Sequence, residues 1–291
     1  MDPMDVATTF AAQEAKLKTL VVWGDSYTNR GYETTHIDRC NYAYHLQQML
    51  GSGWQIYNGG CSGDVTNTIA ARQGGISMHV GTNDFTIPAD CIPVNVGGVY
   101  SGRNFWFTQG EYTQIARYGL INPCEIVVED AQGNEIARIE GKITHKGHET
   151  NKTGDFTTDV KFTRTTPGEA ITVPAKSKLV TFAAKNLRNP DLTIIYMGQN
   201  GGYKSLDILY SQYRAMIDYA FPEGPENYIA VGFHNHTKLA TENVGNAYWD
   251  FFEGPNGFGV NESAGRPISR FVNLYKELTG DNYKDYLVLS G

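Results

Sequence analysis

Four short apolar runs divide the chain, and each has the length of a buried strand. They cover residues 19–23, 54–57, 191–197 and 228–233. Helix-like patterns lie between and after these runs, at residues 42–50, 65–72, 206–217 and 267–278. Gly51 and Gly280 follow two of the helix patterns, where a helix C-cap belongs. Strands that alternate with helices predict an α/β domain built around a parallel sheet.

The middle of the chain has a different composition: it is rich in Thr, Val, Ile and Gly and shows no clear helix pattern. Its strand-like segments cover residues 125–139, 161–164, 170–173 and 178–182. We therefore predict an all-β domain inserted into the α/β domain. The predicted boundaries are 1–85 for the first part of the α/β domain, 86–188 for the insert and 189–291 for the second part.

The insert leaves the α/β domain after the second polar turn and returns just before the strand at 191–197. We expect it to pack beside the mouth of the site described below, where it could hold a substrate. The aromatic run Asn104-Phe-Trp-Phe107 is either part of the insert's core or a contact surface. Such runs usually pack inside, which favours the core.

Composition and charge exclude several classes of function. The chain has 291 residues, of which 41% are hydrophobic and 19% are charged, as in a folded protein. A net charge of −7 argues against nucleic acid as a partner, and no apolar run reaches the roughly 20 residues of a membrane span. The four cysteines form no CxxC pair, so we expect neither a zinc site nor a dense disulfide framework. We expect no cofactor.

The first residues, Met1 to Thr9, lack the basic start and the apolar segment of a secretory signal. This argues against export through a signal peptide. Two locations stay open, the cytoplasm and an extracellular or viral assembly.

Three polar turns follow three of the apolar runs: Gly24-Asp-Ser26, Gly60-Cys-Ser-Gly63 and Gly198-Gln-Asn200. In a parallel sheet these turns would lie at one edge. Acyl transfer needs a nucleophile and hydrogen-bond donors for the oxyanion. Ser26 can supply the hydroxyl and one N–H, Gly63 a second N–H and Asn200 a side-chain amide. Gly, Asp and Ser are also ordinary turn formers, which is the plainer interpretation.

Taken together in this order, the three turns resemble the motifs of the SGNH hydrolase family, also called GDSL esterases. The resemblance covers roughly residues 1–75 and 190–240. It implies a flavodoxin-like three-layer α/β fold and hydrolysis of esters, often O-acetyl groups on carbohydrates. It also implies that Ser26 is the nucleophile and that Gly63 and Asn200 are oxyanion donors. Asp25 would form the turn rather than act as a catalyst.

A second segment, Val80-Gly-Thr-Asn-Asp84, matches the family's third motif in its letters better than Gly198-Gln-Asn200 does. The residues before it, 74–80, are a poor buried strand, whereas residues 191–197 are a good one followed by a helix pattern. Strand context therefore favours Asn200 over Asn83.

The family's fourth motif, an Asp and a His near the C-terminus, is missing, because no His follows His236. Residues 281–289 resemble the strand that normally precedes this motif. The base could instead be His236 or His234, after the strand at 228–233. This His-x-His pair could also bind a metal, or the two could be ordinary histidines at a loop edge.

The sequence thus predicts an SGNH-type serine esterase that removes O-acetyl or similar short acyl groups from a carbohydrate through an acyl-enzyme on Ser26. The alternative is a catalytically impaired scaffold that binds glycans or serves as a structural component of an assembly. An acylated carbohydrate or another small ester is the expected partner, and a homo-oligomer stays open.

Overall fold

A computed structural model describes residues 16–29, 42–61, 64–97, 99–100, 120–145, 160–203, 205–232 and 268–272, together with Leu274 and Glu277. The helices are α1 (Ser26–Asn29), α2 (Tyr42–Leu50), α3 (Thr66–Gln73), α4 (Phe182–Asn186) and α5 (Leu206–Ala220). The strands are β1 (Lys18–Gly24), β2 (Trp54–Gly60), β3 (Met78–Val80), β4 (Phe85–Ile87), β5 (Val94–Asn95), β6 (Val99–Tyr100), β7 (Cys124–Glu129), β8 (Glu135–His145), β9 (Val160–Arg164), β10 (Ile171–Val173), β11 (Ser177–Val180), β12 (Leu192–Tyr196), β13 (Tyr228–Val231) and β14 (Phe271–Val272).

Five strands form a sheet in the order β2-β1-β12-β13-β14, and all neighbouring pairs are parallel. Numbered along the chain within this sheet, the order is 2-1-3-4-5. Side chains of β1 alternate between the two faces, as the period of a strand requires. Leu20 and Val22 pack against α2, whereas Val21 and Trp23 belong to the core that α3 and α5 cover. Helices thus cover both faces of the parallel sheet.

The segment from β3 to β11 forms a second sheet of different character. Seven strands pair antiparallel in the order β5-β9-β8-β7-β11-β3-β6, and β4 and β10 make a separate two-stranded ribbon. The core of this region contains Ile126, Ile143 and Phe162, each with 0% exposure. Buried residues alternate with more exposed polar ones along β9 and in β8 from 139 to 143, whereas Ile126, Val127 and Val128 of β7 are all buried.

Helix α3 belongs to both cores. Ile69 and Ala70 pack into the core under the parallel sheet, while Ala71 packs into the core of the antiparallel sheet. The hydroxyl of Thr181 donates to the carbonyl oxygen of Arg72 at 2.7 Å and accepts the N–H of Ala184, so it also caps α4. The two sheets therefore meet at α3.

The α/β class with a parallel sheet, predicted from the sequence, is confirmed. Two local predictions are wrong. Residues 182–186 form α4, although no helix was expected there, because Thr181 caps a helical turn directly after β11. The helix predicted from about 267 to 278 is wrong in its first part, because Phe271 and Val272 pair with β13 as an edge strand; two apolar residues suit either structure, and Leu274 and Glu277 further along are helical.

Other sequence predictions stay untested. The aromatic run at 104–107 and the strand expected at 281–289 lie outside the described residues. The division at residues 86 and 188 also stays a prediction. Within the described residues, no helix has the length and apolar character needed to cross a membrane.

Candidate functional site

The ends of β1, β2 and β12 meet at one edge of the parallel sheet. Gly24 is directly opposite Gly60 in the register, and the N–H of Cys61 donates to the carbonyl oxygen of Gly24 at 3.1 Å. Strand β12 pairs with the other side of β1, so the turn after Tyr196 lies at the same edge. The structure thus brings the Ser26 and Asn200 turns to the carboxyl edge of the sheet, where open α/β folds build their sites.

Ser26 is the first residue of α1 and is separated from the end of β1 by Asp25 alone. Asp25 is buried with 0% exposure, and its carboxylate accepts the N–H of Tyr27 at 2.9 Å, so it caps this short helix. The Asp25 carbonyl oxygen accepts the N–H groups of Thr28 and Asn29. The turn therefore buries the acid and leaves Ser26 partly exposed.

Helix α1 lies directly on the end of β2, because two glycines leave room for it. A Cβ at Gly60 would lie 2.4 Å from the backbone nitrogen of Asn29, and one at Gly24 would lie 2.0 Å from the Thr28 hydroxyl oxygen. The amide of Asn58 adds a buried hydrogen bond to the carbonyl oxygen of Thr28 at 3.0 Å. These contacts fix the position of the Ser26 backbone.

Asn200 joins the turns after β1 and β2. Its Nδ2 donates to the carbonyl oxygen of Asp64 at 3.0 Å and makes a longer contact of 3.4 Å with the Asp25 carboxylate. The turn around it uses three glycines with positive φ, Gly198, Gly201 and Gly202. The Gly201 carbonyl oxygen in turn accepts the N–H of Thr66 at the start of α3. Asn200 therefore contacts the turn residue next to Ser26.

Asn83, the alternative to Asn200, lies elsewhere. It is exposed in the turn between β3 and β4, away from the parallel strands. Asp84 in the same turn accepts the N–H of Ala175, a contact within the antiparallel region. The placement of Asn200 at the edge with Ser26 agrees with the strand-context argument.

An ion pair that the sequence analysis did not identify lies beneath these turns. Arg72 and Asp64 are both 0% exposed, with 2.6 Å between Nε and Oδ2. The Arg72 guanidinium also donates to the carbonyl oxygens of Gly59 at 2.6 Å and Gly24 at 3.3 Å. Its carbon lies 5.8 Å from the centre of the Trp23 ring. Arg72 thus holds together the ends of β1 and β2 and the turn that follows β2.

The two buried carboxyls have unusual acidities. Burial raises the pKa of Asp25 to about 7; the N–H of Tyr27 opposes this rise, and repulsion from Asp64 adds to it. Burial also raises the pKa of Asp64 to about 6, against the attraction of Arg72. Asp25 therefore keeps its proton to a higher pH than an ordinary carboxyl group.

An apolar pocket of about 550 Å³ borders α1 on the α2 face of the sheet. The rings of Tyr27 and Tyr196 meet edge to face in its wall, with 6.0 Å between their centres. Since Tyr27 follows Ser26, this pocket places apolar surface next to the candidate nucleophile.

The remaining predicted site residues, Gly63, His234 and His236, lie outside the described residues. The roles assigned to them stay predictions. In the part of the chain that the structure describes, no group of three or more His, Cys, Asp or Glu side chains could hold a metal ion.

Comparison with known proteins finds no family model, curated protein or solved structure that matches this chain. The fold and the site define an α/β protein with a parallel sheet and a polar site at its carboxyl edge. The SGNH resemblance stays an expectation from the sequence.

Proposed function

We propose that this protein is a serine esterase of the SGNH type that removes O-acetyl or similar short acyl groups from a carbohydrate. The observation that supports this most directly is the convergence of Ser26 and Asn200 at one edge of the parallel sheet, linked through Asp25. The strand order 2-1-3-4-5 is also the order of flavodoxin-like folds, which the resemblance implies. In this proposal the antiparallel region is an inserted all-β domain.

In the proposed mechanism the Ser26 hydroxyl attacks the ester carbonyl and gives its proton to a base, His236 or His234. The oxyanion accepts hydrogen bonds from the N–H groups of Ser26 and Gly63 and from the Asn200 amide. The protonated base then gives its proton to the departing sugar alkoxide, which leaves an acyl-enzyme. Water, deprotonated by the same base, releases the acid and restores Ser26.

For this role, one N–H of the Asn200 amide must donate to the substrate instead of to a protein acceptor. Both of its N–H groups face protein acceptors, and the 3.4 Å contact with Asp25 is the weaker of the two. The oxyanion would replace this longer contact, while the 3.0 Å bond to Asp64 keeps the side chain in position.

The test is hydrolysis of p-nitrophenyl acetate by Ser26→Ala, with Ser52→Ala as a control at an exposed serine in the turn before β2. We expect kcat/KM to fall by at least about a thousandfold in Ser26→Ala, as for other activated serine nucleophiles, and to stay unchanged in the control. Full turnover by Ser26→Ala, absent after heat denaturation, would sink the proposal.

A second candidate is a scaffold of the same fold that binds glycans without hydrolysing them, alone or within an assembly. The contacts of Asn200 favour it, because its side-chain amide already donates to two protein acceptors, Asp64 and Asp25. A fluorophosphonate probe separates the two functions, since only an activated serine is labelled. Labelling at Ser26 supports the esterase, whereas glycan binding by an unlabelled protein supports the scaffold. A monomer in light scattering would argue against a role in a homo-oligomeric assembly.

A further inference from the structure

A second cleft, of about 500 Å³, lies where the two sheets meet. Gly74 and Ile76 after α3, Tyr219 of α5 and residues of β11 and α4 contribute to its walls. Helix α3 begins beside the Asn200 turn and ends at this cleft. Its eight residues span about 12 Å, so the cleft is separate from the Ser26 site.

Four cationic side chains line the cleft: Arg138, Lys178, Lys185 and Arg188. No acidic side chain is present among its described lining residues. The chain as a whole carries a net charge of −7, so this concentration of positive charge runs against its composition. An opening lined by one sign of charge concentrates ligands of the opposite sign.

The antiparallel register places two of these cations on one face. Arg138 of β8 and Lys178 of β11 are both directly opposite Val127 of β7. They are thus in the same cross-strand row with one strand between them, a separation of roughly 10 Å between backbones. An anion between them would meet both side chains.

Two of the cations are already held by carboxylates. Glu125 pairs with both Arg138 and Lys185, and Arg138 also bonds Glu135 at 2.7 Å. Together with a longer contact of 3.8 Å between Lys185 and Glu140, these three ion pairs position the ends of the Arg138 and Lys185 side chains at the rim. Holding cations in place before a ligand arrives lowers the entropy that binding would otherwise cost.

The other two cations form no ion pair with a described residue, although the charge of Lys178 also acts on nearby Glu135. Among the described residues, neither Lys178 nor Arg188 has a carboxylate oxygen within 4.0 Å. Arg188 is nonetheless positioned, because its Nε donates to the carbonyl oxygen of Tyr219 at 3.4 Å and its guanidinium lies 5.0 Å from the centre of that ring. The outer nitrogens of the guanidinium can therefore bind an oxyanion.

We propose that this cleft binds a small molecule carrying carboxylate, sulfate or phosphate groups, with Lys178 and Arg188 as its main contacts. A volume of about 500 Å³ is within the range of small-molecule sites. The site is independent of Ser26, so binding is expected whether or not the protein hydrolyses esters.

The test is isothermal titration calorimetry on the full chain with inorganic phosphate, inorganic sulfate, citrate and digalacturonate. Lactose serves as a neutral ligand of similar size. We expect heat of binding from at least one anion and none from lactose, and we expect affinity to fall as salt is raised. Binding of the inorganic ions would show that the anionic group alone is recognised. Binding of digalacturonate alone would indicate an acidic sugar.

The double variant Lys178→Gln/Arg188→Gln should weaken binding at least tenfold. The matched control Lys16→Gln/Lys142→Gln removes the same charge at exposed residues outside the cleft and should change affinity less than twofold. Lys178→Arg keeps the charge and should retain binding, which separates loss of charge from loss of folding. No binding of any anion, or equal losses in the double variant and the control, would overturn the proposal.

Discussion

Asp25 and Asp64 place two carboxyl groups inside the protein, next to the candidate nucleophile, and both stay protonated at higher pH than usual. Burial is the largest cause for each, because removal from water disfavours the charged form. The unfolded chain would ionise both near pH 4. Folding is thus linked to the retention of protons at this site.

The sign of this linkage determines how stability depends on pH. Below about pH 4, Asp25 is protonated in both states and adds no pH dependence. From there to about pH 7, the folded protein keeps a proton that the unfolded chain has released, so the free energy of unfolding falls as pH rises. The pKa of Asp25 differs by about three units between the folded and the unfolded chain, which limits this loss in the free energy of unfolding to about 4 kcal/mol.

We predict that Asp25→Asn lessens this decline. Asn also caps helices, so the contact with Tyr27 is kept while the ionisation is removed. Urea unfolding at pH 5 and pH 8 should show a smaller loss of stability between the two values in Asp25→Asn than in the original protein. Asp90→Asn, at an exposed position, should keep the original loss. An unchanged pH dependence in Asp25→Asn would show that Asp25 does not carry the linkage.

Arg72→Met is predicted to destabilise the protein by about 3–5 kcal/mol, because it leaves Asp64 buried without its partner. The loss should be larger at pH 8 than at pH 5, where Asp64 can take up a proton. Urea unfolding at pH 5 and at pH 8 measures the loss of stability at each pH. The control is Arg138→Met, which breaks the ion pairs of a partly exposed arginine with Glu125 and Glu135. Glu125 keeps its bond to Lys185, so the variant should cost no more than about 1 kcal/mol. Equal losses in the two variants would contradict the role assigned to Arg72.

At the scale of elements, the contact between α1 and β2 depends on a missing side chain. We predict that Gly60→Ala destabilises the protein by more than about 2 kcal/mol, since its Cβ would meet the Asn29 backbone at 2.4 Å. Gly53→Ala is the control, because nothing lies within 4 Å of a Cβ there. It should change stability by less than about 1 kcal/mol in urea unfolding. A Gly60→Ala protein as stable as the control would disprove the close approach.

Elements with a strong period could be predicted from the sequence, and short ones could not. The run at 19–23 is unbroken, β-branched and of strand length, and the helix face at 206–217 repeats long enough to show the helix period; both predictions are confirmed. Strand β14 has only Phe271 and Val272, too few residues to show a period. Its pairing with β13 is a tertiary contact that overrides local preference.

The candidate site could be predicted only where it depends on local sequence patterns. Ser26 and Asn200 follow apolar strands, and parallel strands bring their carboxyl ends to one edge. Arg72 was missed because its contacts with Gly59 and Gly24 join residues 13 and 48 positions apart. The acidity of Asp25 was also missed, since a turn-forming Asp shows no burial in the sequence. The sequence did contain one signal for the ion pair: Arg72 lies in a predicted helix, eight residues after Asp64 in the preceding turn.

At the scale of the whole molecule, α3 ties the parallel sheet to the antiparallel one. Its residues enter both cores, and its end bonds Thr181 at the return from β11. The hydroxyl of Tyr219 on α5 adds a bond of 2.9 Å to the carbonyl oxygen of Ala184 on α4. Because neither core can open on that side without exposing α3, we expect the two regions to unfold as one unit.

Three cysteines that form no disulfide can test this coupling. Cys61 lies at the end of β2 and is 7% exposed, and Cys124 lies in the antiparallel core and is 0% exposed. We predict that both thiols become reactive towards iodoacetamide at the same urea concentration, as measured by mass spectrometry of their separate peptides. Exposed Cys91 should react without urea and so reports that the reagent is active. Separate midpoints for Cys61 and Cys124 would instead show that the sheets unfold independently and that α3 does not couple them.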